Sequence, residues 1–304
     1  MIEIRRKKSA MKKPVIVLNI LLAFLFSCQQ NQKTVAENKK DKVPEWREPK
    51  TIVYEIKNPS LWLEDSSITS SEQETVFAIN RTDRRHFAKM DSVIVPTDLG
   101  GDLAYYFPFP LEVSYLKDID KIIYFSYPTQ TFAAYEYGKQ IYTGPTNMGR
   151  EKDSTPTGLF FTNWKAKKTI STFNGEWELK WNFNISNKEG IGWHQYDLPG
   201  YPASHSCLRL LEKDAKFLYN WADQWVLADK TKILVKGTPV IVFGKYDFHG
   251  PKSWFRLVGD PHALDISQSE IKEITRPFLP EILTEERNRV EWIAAADTFS
   301  VEAD

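Results

Sequence analysis

The stretch HQYDLPGYPASHSCLRL, from His194 to Leu210, gathers the side chains best suited to covalent chemistry. Cys207 stands two residues after His205 and two before Arg209, with His194 thirteen residues upstream. A thiol at neutral pH is a poor nucleophile and the thiolate a good one, so a reactive cysteine needs something to take its proton. A nearby imidazole can do so. His205, at i−2, shares a face with Cys207 if the stretch is extended. His194 can fold back across the Pro199-Gly200-Tyr201-Pro202 turn, which makes it the preferred base and leaves Ser204 and His205 to order the loop. The backbone N–H groups of Ser206 and Cys207 are candidates for an oxyanion hole. Arg209 supplies a guanidinium fork matched to a carboxylate. Other readings stay open here. A zinc site from His194, His205 and Cys207 is chemically possible, although the His-x-Cys spacing is unusual and no further cysteine lies nearby. Cys207 can also be read as a small buried hydrophobe beside core histidines, or the group as a solvated surface cluster. His86, His249 and His262 stand alone in the sequence.

Such a constellation needs a rigid frame, and the flanking sequence offers one over residues 119–246. Lys121–Tyr127, Thr131–Tyr137 and Gln140–Thr143 read as three β-runs, with a turn at Gly138-Lys139. STPTGLFFTNWKAKK enters a further strand, NGEWELKWNFNIS alternates strongly, and KILVKGTPVIVFGKY offers two strands around Gly237. Leu211, Ala215, Leu218 and Ala222 recur at helical spacing, with Phe217 and Trp221 beside them. The Cys207 segment is therefore expected to be a loop feeding a helix, whose N–H dipoles would face the thiol. Upstream, residues 51–118 read as a small α/β module with a short helix around Val76–Asn80, a strand DSVIVP ending at Pro96 and a stiff aromatic segment, Tyr105–Pro110. Downstream, residues 247–304 form a helical extension, with helical pattern over 263–297 and a break near Pro277–Pro280. The fold class expected is mainly β, α+β.

The first 28 residues read as a targeting segment. Arg5, Arg6, Lys7, Lys8, Lys12 and Lys13 precede an apolar run, Pro14–Phe26, too short for a typical spanning helix. Translation from Met11 would also leave a complete signal. The run ends in Leu25-Phe26-Ser27-Cys28, which is similar to a bacterial lipobox and would make Cys28 the lipidated N-terminus. The alternative is an ordinary cleaved signal with an incidental cysteine. The chain has 40 basic and 40 acidic residues, so its charge suggests no nucleic-acid partner. Cleavage before Cys28 would remove six basic residues and one acidic one, leaving a net charge of −5. Residues 29–50 are polar and read as a tether. Only two cysteines occur, so lipid on Cys28 leaves Cys207 without a disulfide partner in the chain. In an oxidising compartment that is a liability, and a catalytic role is one reason to keep it.

The Cys207 motif resembles that of the L,D-transpeptidase catalytic domain, or YkuD domain. That family carries an upstream His, then Ser/Thr-His-Gly-Cys, an apolar residue and Arg or Asn. DSTPTGLF (Asp153–Phe160) is similar to its Thr-Pro-x-Gly element, DKIIYFSYPTQTFAAYEYGKQIYTGP to its opening strands and GTPVIVFGK to its closing strand. The likeness covers roughly 119–246. It implies a β-sandwich with the active site at one end of its sheets. It further implies Cys207 as nucleophile, His194 as general base, Ser204, His205 and Ser206 as loop or oxyanion residues, and Arg209 with Tyr201 in substrate binding. Ser206 stands where the family usually has Gly. If that position needs positive φ, Ser costs roughly 1 kcal/mol of strain. Gln195 replaces the Gly often found after the first His. Separately, AINRTDRRHFAKMDSVIVP resembles the second half of a LysM glycan-binding module, with a small packing domain as the alternative.

The expectation is a periplasm-facing lipoprotein of the bacterial cell envelope that acts on peptidoglycan stem peptides. Cross-linking, hydrolysis and attachment of a wall-linked protein all remain open as the second step. No metal or organic cofactor is implied. The competing class is a wall-binding lipoprotein with a weakened site.

Overall fold

The computed structural model describes residues 44–171, 175 and 177–301. The signal segment, Cys28 and most of the 29–50 segment lie outside the described residues. Residues 44–50, expected as tether, are instead laid on the folded body. Trp46 Nε1 donates to Gln140 O at 3.2 Å, Arg47 N to Asp102 Oδ2 at 2.6 Å and Lys50 N to Asp98 Oδ2 at 2.7 Å. Trp46 and buried Pro49 were the apolar signal within that polar run.

Two strands, β1 (Tyr54–Lys57) and β2 (Val93–Pro96), pair antiparallel around three helices. These are α1 (Pro59–Leu63), α2 (Ser70–Ile79) and α3 (Arg84–Phe87). Thr69 and Glu72 close a capping box on α2, which satisfies N–H groups that a helix start otherwise leaves unpaired. Trp62, Val76, Phe77, Phe87, Val93 and Val95 fill the module's own core. A second cluster joins Tyr54, Ile79 and Ile94 to Tyr106, Phe107, Trp254 and Leu257, so the aromatic segment welds the module to the rest.

The strands that follow are β3 (Lys121–Ser126), β4 (Thr131–Glu136), β5 (Lys139–Pro145), β6 (Gly158–Phe161), β7 (Lys165–Ile170), β8 (Glu178–Ser186), β9 (Ile191–Gln195) and β10 (Leu208–Leu210). Helix α4 (Glu212–Trp221) precedes β11 (Val226–Leu227), β12 (Ile233–Val235) and β13 (Pro239–Phe243). One sheet runs β5-β4-β3-β13-β6, the other β10-β9-β8-β7. Alternation sorts their side chains. Ile123, Phe125, Phe132, Ala134, Val240 and Val242 point inward from the first sheet. They meet Phe183, Ile185, Ile191, Trp193, Leu208 and Leu210 from the second, with Ala215 and Leu218 of α4. Each large apolar side chain buried there contributes about 1.5–3 kcal/mol.

The intervening residues Ile122, Tyr124, Ala133, Tyr135 and Ile241 point to the opposite face of the five-stranded sheet. That face is covered by Phe109, Val113 and Leu116, and by Ile271 and Ile282 from α5 (Gln268–Thr275) and α6 (Leu279–Val301). Coverage on both sides explains why β3 reads as a continuous apolar run. It also gives the C-terminal extension its structural role. Among the described residues no helix is long and apolar enough to cross a membrane.

Candidate active site

Strand β10 runs parallel to β9, with Leu208 opposite Trp193, Arg209 opposite His194 and Leu210 opposite Gln195. Leu208, Leu210 and Trp193 are fully buried in the sandwich core. By the two-residue period, His194 and Arg209 therefore project to the other face of the sheet, and Cys207 falls on the same side. Parallel neighbours cannot be joined by a tight hairpin. Residues 196–207 make the crossover, and Cys207 sits at its end.

The expectation that this segment feeds directly into a helix needs correction. A strand, β10, lies between Cys207 and α4, because Leu208 and Leu210 alternate onto the core. The first turn of α4 is thus not adjacent to the thiol.

Cys207 is half-buried, and its sulfur lies 4.0 Å from Gly190 O. Burial pushes its thiol above the ordinary value, partly offset by the Gly192 backbone N–H and by the positive charge of Arg209. His194 is 5% exposed. Burial pushes its imidazole down to about 4; its hydrogen bond to Gln195 works in the opposite direction, and Arg209 reinforces the lowering. Nδ1 lies 3.0 Å from Gln195 O. A carbonyl can only accept, so Nδ1 carries the proton and Nε2 is left as the basic nitrogen. At neutral pH the resting pair is a thiol and a neutral imidazole.

The remaining predicted residues differ in their surroundings. Ser204 is buried and its Oγ donates to Cys207 O at 2.5 Å. Its own N–H donates to Met148 O, and its carbonyl accepts from Arg150 N, each at 3.0 Å. His205 packs beside Trp177, ring centroids 5.8 Å apart, with Nε2 3.8 Å from Asp153 Oδ2. Burial and then the Arg150 guanidinium hold its imidazole below the ordinary value. Ser206 has φ +72°, the left-handed region that the substitution for Gly made a concern. Its hydroxyl lies 3.1 Å from Asp153 O and 3.2 Å from Ser154 O, while its carbonyl accepts from Thr155 Oγ1 at 2.9 Å. The Thr-Pro element is thus the wall against which the Ser206 turn rests. Arg209 places its guanidinium 4.5 Å from the centre of the Tyr196 ring. Tyr201 is 54% exposed on the turn and does not line the cleft around Cys207.

That cleft is walled by Trp177, Leu179 and Tyr196 in addition to His194, His205, Cys207 and Arg209. Sequence reasoning missed Tyr196 and Trp177. Tyr196 had a signal, since it lies two residues after His194, just past the end of β9. Trp177, just ahead of β8, comes to the site through the sheet's tertiary fold and had none. Among the described residues no three His, Cys, Asp or Glu side chains are grouped to hold a metal ion.

Residues 120–242 match the family model of the YkuD L,D-transpeptidase catalytic domain. Solved structures similar to this chain include an L,D-transpeptidase from Stackebrandtia nassauensis, 26% identical, with a TM-score of 0.34, covering 41% of this chain and 56% of that one. An L,D-transpeptidase from Mycobacterium tuberculosis is 22% identical, with a TM-score of 0.33 and coverage of 41% and 58%. One from Enterococcus faecium is 24% identical, with a TM-score of 0.33 and coverage of 41% and 50%. The chain spans between half and three fifths of the length of these structures. No curated protein matches.

Proposed function

With residues 120–242 matched to the L,D-transpeptidase catalytic domain, we propose that this protein is a peptidoglycan L,D-transpeptidase with Cys207 as nucleophile and His194 as general base. The observation that carries the reading is the one cleft shared by His194 and Arg209, opposite each other on adjacent parallel strands, and Cys207, just ahead of β10, with His194 Nε2 left free of the Gln195 contact. The Cys207 thiol turns from Gly190 O toward the carbonyl of the third residue of a stem tetrapeptide. Its sulfur bonds to the carbonyl carbon as the proton passes to Nε2. Neither group carries charge beforehand, so burial does not oppose the resting state. The N–H groups of Ser206 and Cys207 hold the oxyanion. Collapse expels the amine of D-Ala, which takes the proton from His194, and leaves a thioester on Cys207. An acceptor amine then attacks the thioester, restores the thiol and forms a 3→3 cross-link. Water in that role makes the same site an L,D-carboxypeptidase, and a protein amine tethers that protein to the wall. Arg209, flattened on Tyr196, docks a substrate carboxylate.

We place the protein at the bacterial envelope, facing the periplasm, with lipid on Cys28. Cys28→Ala should move it from membranes to the soluble periplasmic fraction; unchanged partition would mean that Cys28 does not anchor it. The reaction is tested by incubating residues 29–304 with purified stem tetrapeptides. Mass spectra should show release of D-Ala, and folded protein that leaves the peptide intact would overturn the proposal. One observation favours a second reading, a wall-binding lipoprotein with a weakened site: burial raises the thiol rather than lowering it. A Cys207 that titrates at or above the free value of ~8.5 and acylates with nothing would support that reading.

A further inference from the structure

The crossover 196–207 is gripped at three places. Toward Cys207, Thr155 and the carbonyls of Asp153 and Ser154 hold Ser206. In the middle, Ala203 N and Ser204 N both donate to Met148 O, at 3.1 and 3.0 Å. The third grip comes from outside the sandwich, from the turn between α2 and α3 of the N-terminal module. Asp83 N donates to Leu198 O at 3.0 Å, and Asp83 Oδ2 accepts from Leu198 N at 2.8 Å. Thr82 Oγ1 donates to the same Leu198 carbonyl at 2.9 Å, and Thr82 bridges Pro199. Arg85 pairs with Asp197. Leu198 is fully buried, so these partners answer polar backbone that water cannot reach.

The turn that supplies the grip is itself fixed. Arg81 has φ +56°, an unfavourable backbone for a side chain, and is 1% exposed. Its guanidinium donates from Nε to Thr129 O at 2.8 Å and lies 4.8 Å from the Phe107 ring centre and 5.3 Å from that of Trp254. Buried polar and aromatic contacts thus over-determine the strained residue next to Thr82 and Asp83, as a functional strain site requires.

We propose that the N-terminal module is a positioning element for the nucleophile, acting through Thr82 and Asp83 on Leu198. The proposal rests on the transpeptidase reading for its effect on turnover, though not for its effect on the loop. Asp83 also caps α3 and contacts His86, so its loss alone would confuse capping with clamping. Thr82→Val removes one clamp bond and no cap, whereas His86→Ala removes the side-chain contact and leaves the clamp.

The test compares residues 29–304 as wild type, Asp83→Ala, Asp83→Asn, Thr82→Val and His86→Ala. Three readouts are taken: amide exchange over 196–207, alkylation of Cys207 by iodoacetamide, and kcat and KM on stem tetrapeptide. Asp83→Ala should speed exchange across 196–207 at least about tenfold and lower kcat by a similar factor. Its KM should change less. Thr82→Val should move the same readouts in the same direction, Asp83→Asn should recover only part of the loss because its one acceptor oxygen can serve Leu198 N or His86 N but not both, and His86→Ala should match wild type. Unchanged exchange and alkylation in both Asp83→Ala and Thr82→Val would overturn the proposal. So would an Asp83→Ala effect that His86→Ala reproduces and Thr82→Val does not. A wild type that leaves tetrapeptide intact would defeat the transpeptidase reading, while exchange and alkylation would still decide the clamp.

Discussion

Gly200 and Ser206 both hold left-handed backbone within the crossover from β9 to β10, at φ +79° and +72°. At Gly200 an added Cβ would stand 3.0 Å from Met90 Cε and 3.4 Å from Asn80 O, pressed against the N-terminal module. At Ser206 the Cβ is present, and the hydroxyl it carries reaches Asp153 O and Ser154 O. The first half of the loop is thus shaped by close approach to another module, where a bare backbone is the economical choice. The second half is shaped by polar contact within the sandwich, which offsets strain of roughly 1 kcal/mol. Similar dihedral angles have different causes, and the two halves should respond differently to substitution.

The largest effect comes from removing the chemistry and sparing both halves. His194→Gln should lower kcat by about 10²–10⁴, the usual share of a general base, with the fold retained by circular dichroism. A milder loss than that of His205→Ala would mean that the two histidines' roles are reversed. The same variant should change acid stability. The folded imidazole titrates near 4 and an unfolded one near 6.5, so the unfolded chain binds the extra proton between those values. Stability should fall as pH drops from about 6.5 to about 4, by up to roughly 3 kcal/mol, and His194→Gln should remove that slope. Asp214, buried beneath Tyr142, behaves oppositely. Burial raises its carboxyl to about 7, so its contribution is full at low pH and is lost as pH rises toward 7. Asp214→Asn should therefore remove a slope of the opposite sign, measured by denaturant unfolding at a series of pH values.

Next in size is Gly200→Ala. Strained φ and the Met90 contact together should cost about 2 kcal/mol, with faster amide exchange largest in 196–201 and smaller in 202–207. Exchange confined to 202–207 would break the distinction between the halves. Ser206→Ala keeps the strain and loses the hydroxyl, and should cost about 1 kcal/mol. Ser206→Gly loses both and should stay within about 1 kcal/mol of wild type. A clear loss of stability and activity in Ser206→Gly would give the hydroxyl a larger role than holding Asp153 and Ser154.

Much of the frame was legible because the physics that builds it is local. The apolar β-type runs in DKIIYFSY and TFAAYEY mark β3 and β4, and the stripe Ala215, Leu218 and Ala222 marks α4. Positive φ at Ser206 was legible by comparison with a motif that carries Gly there. Strand β10 was missed because three residues, Leu208–Leu210, carry too little pattern to outweigh the helix after them. The Thr82–Asp83 grip on Leu198 joins residues about 115 positions apart and satisfies backbone groups, which leave no trace in side-chain pattern. The covering of the five-stranded sheet by α5 and α6 was hidden for a similar reason, since a helix's apolar face does not name the sheet it meets.

The central claim is that Cys207 is an acylating nucleophile within this frame, and a carbapenem tests it most directly, because its strained lactam stands in for the scissile amide. Intact-protein mass spectra of residues 29–304 after exposure to a carbapenem should show one adduct per chain. The adduct should map to the peptide containing Cys207 and be absent in Cys207→Ala. Folded wild-type protein that forms no adduct and also leaves the tetrapeptide untouched would contradict the account.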